Sequence, residues 1–200
     1  MMDTKIQLSE DELALVKDGE WILTKNGIIR KVIALFGNLS DCMIPVIQQS
    51  ALPAHVRESS PKISRGENYR GLPYVVLDYP RLFSKDHVFA IRILFWWAHY
   101  FTVSLHLKGS YREMFRERLS ENRNSLLQHE FFICRSPDEW LHAVDQEYYI
   151  PLKNCSKPEL DTILQTHSFT KMTSIIPLDQ WNTAEPVILD RFRILLEALG

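Results

Sequence analysis

The sequence predicts an α+β fold, a single domain built on a central antiparallel sheet of about five to six strands. Helices are expected on one face of that sheet, preceded by an N-terminal helical segment. Three observations carry this expectation. Short β-branched and aromatic runs recur at 74–79, 88–97, 101–108, 130–135, 148–152 and 169–176, each bounded by turn or capping residues. Short connections between neighbouring runs favour antiparallel pairing, and the helical stretches are inserted among strands instead of alternating with them. Finally, 200 residues that are 46% hydrophobic and 24% charged are enough for one core and unlike a disordered chain.

Residues 1–52 read as the helical segment. Ser9-Glu10-Asp11-Glu12 spells a capping box, in which the serine oxygen accepts an early N–H and the glutamate reaches back. A helix over about 20–39 places Trp21, Ile28, Val32, Leu35 and Leu39 on one stripe, with Asn26-Gly27 as an interruption and Pro45 as a break. Residues 53–73, rich in Pro, Gly, Ser and charge, read as a loop. The sheet and its inserted helices then occupy 74–200. Ser110-Tyr111-Arg112-Glu113 and Ser136-Pro137-Asp138-Glu139 spell capping boxes for helices over 110–127 and 136–145, and Ser156-Lys157-Pro158-Glu159 repeats the pattern. After Thr183, Ile188, Phe192, Leu195 and Leu199 mark the apolar stripe of a last helix.

Residues 88–108 form the richest strand pair. A two-residue turn at Ala98-His99 would mix polar and apolar side chains on both faces. A three-residue turn, Ala98-His99-Tyr100, pairs Phe95 with Val103, Ile93 with Leu105 and Ile91 with Leu107, and leaves one face wholly apolar. The other face then carries Trp96, Leu94 and Arg92, with Arg92 across from His106. No glycine is present for the left-handed turn position. A longer turn of the same parity preserves the facing, so parity is the firmer expectation.

Several function classes are excluded or left without a signature. Net charge is −2, and the thirteen Lys and Arg against eight Asp and Glu over 57–135 make only a mildly basic middle. Nucleic acid, which needs many clustered phosphate contacts, is not an expected partner. The apolar run 88–107 holds Arg92, His99, Ser104 and His106, too polar for a membrane span. Gly66 to Gly71 has a phosphate-loop spacing, yet Leu72-Pro73 follows where Lys and Ser or Thr are required, so no nucleotide cofactor is implied. Glu139 and His142 sit three apart on the expected helix without a second pair, so no metal is expected; Trp140, Leu141 and Val144 are the expected inward side. Cys155, flanked by Lys153 and Lys157 before a helix start, is a candidate for a lowered pKa. Three widely spaced cysteines and no basic-then-apolar leader point to a reducing, cytoplasmic setting.

What remains is a candidate site for a small carboxylate or phosphate ligand. Arg65 and Arg70 from the basic loop are expected to converge with Arg92 and His106, with Asp78 orienting Arg92 and Tyr69 or Tyr74 lining the pocket. His106 is the one member suited to acid–base catalysis near neutrality. The rival expectation is a non-catalytic interaction domain, a homodimer, using exposed aromatics at Trp96 and Tyr100.

Overall fold

The computed structural model describes residues 6–200. The Ser9 capping box forms as expected and starts α1, Glu10–Lys17, a helix with no buried residue. A second helix, α2, runs over Gly19–Gln49 without stopping at Asn26-Gly27 or at Pro45. Its inner stripe of Val32, Phe36, Leu39, Met43 and Ile47 is fully buried. That tertiary burial offsets the backbone hydrogen bond that Pro45 cannot donate. Trp21 is not part of the stripe; it is half exposed, because the body of the protein begins beneath the helix only near Lys25, which bonds Glu67.

Residues 53–73 are structured, which corrects the loop expectation. A short helix, α3, occupies Ala54–Arg57, and a strand, β1, occupies Lys62–Tyr69. β1 pairs antiparallel with β2, Leu72–Phe83. It lies at the edge of the sheet, where no residue is fully buried and only Ile63, Gly66 and Tyr69 are half-buried, so its sequence shows no apolar alternation. Then follow β3, Val88–Trp96, β4, Tyr100–Lys108, α4, Ser110–Glu121, and α5, Arg123–Gln128. The chain continues through β5, Phe132–Cys134, β6, Tyr149–Pro151, α6, Lys157–Thr166, β7, Phe169–Pro177, and α7, Ala184–Glu197. All pairs are antiparallel in the order β1-β2-β3-β4-β7-β5-β6, so the sheet has seven strands where five to six were expected.

The hairpin keeps the expected parity with a register two residues away. Phe95 pairs with Phe101, Ile93 with Val103, and Ile91 with Leu105, and the turn is Trp97-Ala98-His99. Ala98 carries the positive φ of 62° that glycine would normally supply. The apolar face is complete: Phe89, Ile91, Ile93, Phe95, Phe101, Val103, Leu105 and Leu107 are all buried. Helices cover it, with Phe36 of α2 against Phe101 and Phe115 of α4 against Phe89. Ile188, Phe192, Leu195 and Leu199 at the C-terminal end dock on the same side, as their spacing predicted.

Two of the four capping boxes fail. At α4 the cap is Gly109, with φ 61°, where a side chain would collide with the carbonyl of Asp86 and the ring of His87. The Ser110 N–H is taken by His87 Nδ1 instead. At 136–145 there is no helix at all. Ser136 Oγ accepts from the Asp138 N–H and Asp138 Oδ1 from the Trp140 N–H, local turns that compete with helix formation. This irregular segment, 135–148, crosses the second face of the sheet as a strap. The box at Ser156 forms as expected. No helix among the described residues is long and apolar enough to cross a membrane.

Exposed apolar side chains are unevenly distributed. Among the described residues, eight of the eleven large ones lie between Ile6 and Leu23, and the other three are Phe83, Met114 and Trp140. No described residue before Ile29 is buried. Residues 6–24 therefore extend from the body as an arm.

Candidate functional site

The second sheet face carries a polar row across four strands: Asp78 on β2, Arg92 on β3, Ser104 on β4 and Thr173 on β7. Alternation puts Arg92 on this face, and pairing puts Asp78 beside it. The guanidinium grips the carboxylate with two parallel bonds, Nε to Oδ1 at 2.7 Å and Nη2 to Oδ2 at 2.9 Å. His106 lies one position along, opposite Ala90 and Lys171, so it is diagonal to Arg92 and not directly across from it. Ser104 Oγ and Thr173 Oγ1 bond each other at 2.9 Å.

The strap closes over this row. Glu139 Oε2 accepts from His106 Nε2 at 3.1 Å, and Oε1 accepts from Lys108 Nζ at 2.7 Å. Tyr69 OH accepts the N–H groups of His142 and Ala143, and Tyr100 OH accepts that of Val144. Lys171, 2% exposed, donates to the carbonyls of Glu139 and Leu141. Glu139 and His142 thus face inward and Trp140 outward at 46% exposure, against the helical expectation, while Leu141 and Val144 pack inward as expected. Arg92, Ser104, His106, His142 and Lys171 line a cavity of about 10 Å³, room for one water at most.

Burial sets the protonation of the cluster. It pulls His106 down to about 3, aided by the charges of Lys171, Arg92 and Lys108, so the neutral ring donates its Nε2 hydrogen to Glu139. His142 is pulled down to about 2 by burial and then by Lys171 and Arg92. Lys171 itself is lowered to about 8, chiefly by burial. Hydrogen-bond accounting agrees. His142 Nε2 faces Arg92 Nη1 at 3.0 Å and Nδ1 faces Lys171 Nζ at 3.3 Å. A neutral imidazole accepts at one nitrogen only. With Nε2 accepting from arginine, Nδ1 carries the hydrogen, and the Lys171 amine can receive it only once it loses its own proton, above about pH 8.

No family model and no curated protein matches the chain.

The expected site is partly assembled. Asp78, Arg92, His106 and Tyr69 come together; Tyr74 stands beside them, its ring filling the space a side chain at Gly66 would need. Arg65 does not join, because it pairs with Val75 and alternates onto the helix-covered side. Arg70, exposed, faces Asp145 of the strap at 3.9 Å. Trp96 is only 3% exposed, stacked on His99 and enclosed by Tyr69 and Tyr100, so it offers no surface for a partner. Burial raises the Cys155 thiol, against the expected lowering by its lysine neighbours. Sequence reasoning weighed Glu139 and His142 only as a metal pair, away from the inward side, and missed Lys171. One signal was present: Lys171 precedes buried Met172 in a strand, which puts a cation on the face of His106.

Proposed function

We propose that the protein is a self-associating interaction domain and that its N-terminal arm docks on a second copy. The carrying observation is the concentration of exposed apolar side chains in α1 and the first turns of α2. The buried stripe of α2 continues outward by one heptad from Ile29 to Ile22, where no strand lies beneath it. Leu13, Leu15, Val16, Trp21, Ile22 and Leu23 together exceed the isolated apolar residues normal on a monomer surface. Charge favours a like partner. Glu10, Asp11 and Glu12 crowd the start of the arm, while Arg30 and Lys31 lie exposed beyond its apolar stretch. A two-fold axis near Trp21 and Ile22 sets the acidic end of one arm beside the basic end of the other. The same acidic start disfavours an anionic membrane. Free cysteines at 42, 134 and 155 suit a reducing, cytoplasmic setting for such a domain.

Sedimentation of the full chain tests this. The expected result is a dimer that Trp21→Glu with Leu23→Glu converts to monomer while thermal stability is unchanged. Reversing Glu10, Asp11 and Glu12 to lysine should weaken the dimer, and adding Arg30→Glu and Lys31→Glu should restore it. A wild type that stays monomeric at about 100 μM, well above typical specific-complex Kd values, sinks the proposal.

A second reading, recognition of a small carboxylate at the polar face, draws support from Glu139. The protein already holds one carboxylate there, an oxygen on each of His106 and Lys108, on a segment without regular structure. Buried Lys171 has no carboxylate within ion-pair distance among the described residues. A ligand would displace Glu139 and lift the strap, with Arg92 fixed by Asp78. Calorimetric titration with succinate should then show tighter binding to Glu139→Gln than to wild type and none to Lys108→Ala. Absence of binding to the folded Glu139→Gln variant ends this reading.

A further inference from the structure

A separate opening lies at the far end of the sheet and goes beyond self-association. β7 runs to Pro177, but its neighbour β5 pairs with it only at Phe132 and Ile133. Beyond Thr173 no strand lies on that side of β7, and the gap is a cavity of about 310 Å³. That is within the range of small-molecule sites, about 300–1,000 Å³. Its walls are apolar: Leu127 from the end of α5, Phe131 before β5, Leu152 after β6, Ile176 from β7 and Val187 from α7. Lys153 and Arg191 stand among them, with Glu130 as the opposing carboxylate.

Arg191 is incompletely used. Its Nη1 donates to Asp190 at 2.7 Å, yet its Nε–H is buried with no acceptor, and its Nη2 makes no hydrogen bond with the described residues. The Nε–H groups of Arg57, Arg112 and Arg123 are also buried without an acceptor, so what sets Arg191 apart is its place on the cavity wall. Here the unused groups are the two parallel N–H donors of one guanidinium edge, the geometry that matches a carboxylate bidentately. The Asp190 contact leaves that edge unoccupied.

We propose that this cavity binds an apolar carboxylate, its hydrocarbon body against Phe131, Ile176 and Val187 and its head on the Nε–Nη2 edge of Arg191. Lys153 adds a second positive charge at the rim. The class follows from the lining: an apolar alcohol would leave the arginine edge unpaired, and a cationic amphiphile would meet Arg191 and Lys153.

Calorimetric titration of the full chain with octanoate, octan-1-ol and octylamine separates these cases at constant chain length. Octanoate should bind at least tenfold tighter than either analogue. Arg191→Met should remove that preference and leave octan-1-ol binding as it was, while Val187→Trp, which fills the cavity, should abolish binding of both. Thermal melts establish that each variant is folded. Equal binding of octanoate and octan-1-ol by wild type, undiminished octanoate binding by Val187→Trp, or no octanoate binding at all overturns the proposal.

Discussion

The two faces of the sheet are equally closed but are held by different physics. The helix-covered face is a continuous apolar layer in which Phe36, Phe101, Phe89 and Phe115 interlock. Its attraction is non-directional and grows with area, so any register of the right parity buries the same set. The strap-covered face joins a smaller apolar cluster, with Val76, Leu94, Trp96, Leu141 and Phe169, to a network of named donors and acceptors: Arg92 to Asp78, His106 and Lys108 to Glu139, backbone amides to two tyrosines. There each partner is specific, and a lost partner leaves a buried polar group unpaired. The first face gives the domain its bulk stability, and the second gives the 135–148 segment its single conformation.

Mutations can test that contrast, beginning with the largest effect. Phe101→Ala should lower unfolding free energy in urea by about 3–5 kcal/mol through the cavity it leaves. Arg92→Met, which strands the Asp78 carboxylate, should cost about 3 kcal/mol, and Asp78→Leu added to it should recover much of the loss. If the single and double variants are equally unstable, the ion pair is not the cause. Acid should act on the strap side. His106 and His142 have folded pKa values near 3 and 2, below the ordinary 6.5, so the unfolded chain binds protons first. The contribution of these two rings is therefore full above about 6.5 and falls as pH drops towards 3, by up to about 1.4 kcal/mol per pH unit for each ring. His106→Gln should flatten that slope in a pH series of urea melts. Lys171 carries the same sign at the other end, so stability should rise between pH 8 and 10.5. Smallest of all, Tyr100→Phe should cost about 1 kcal/mol and speed amide exchange at Val144 while leaving exchange in β3 unaltered.

Legibility in the sequence followed the same division. Alternation is enough to find strands whose one side is apolar, and six of the seven were readable, together with hairpin parity and the stripe of α7. β1 escaped because an edge strand with no buried residue, and only Ile63, Gly66 and Tyr69 half-buried, has no alternation to read. Pro45 and Asn26-Gly27 misled because local propensity is weaker than the burial of Phe36, Leu39 and Met43. The strap failed most plainly. Ser136-Pro137-Asp138-Glu139 has the letters of a helix start, but Glu139 bonds His106 and Lys108 some thirty residues away, and such pairings leave no local spacing. Within the candidate site, Asp78, Arg92 and His106 were readable from facing alone. His142 and Lys171 needed the register of β7 and the path of the strap.

The strap's fastenings come from β1, β3, β4 and β7, strands spread from Tyr69 to Lys171. None of those anchors can hold it until the strands are assembled side by side. Closure of 135–148 is thus a late step in folding, gated by long-range strand pairing, whose chain-closure entropy must be met first. In reverse, the strap can peel away while the sheet stays intact, so a protease should nick it well before the rest of the chain yields.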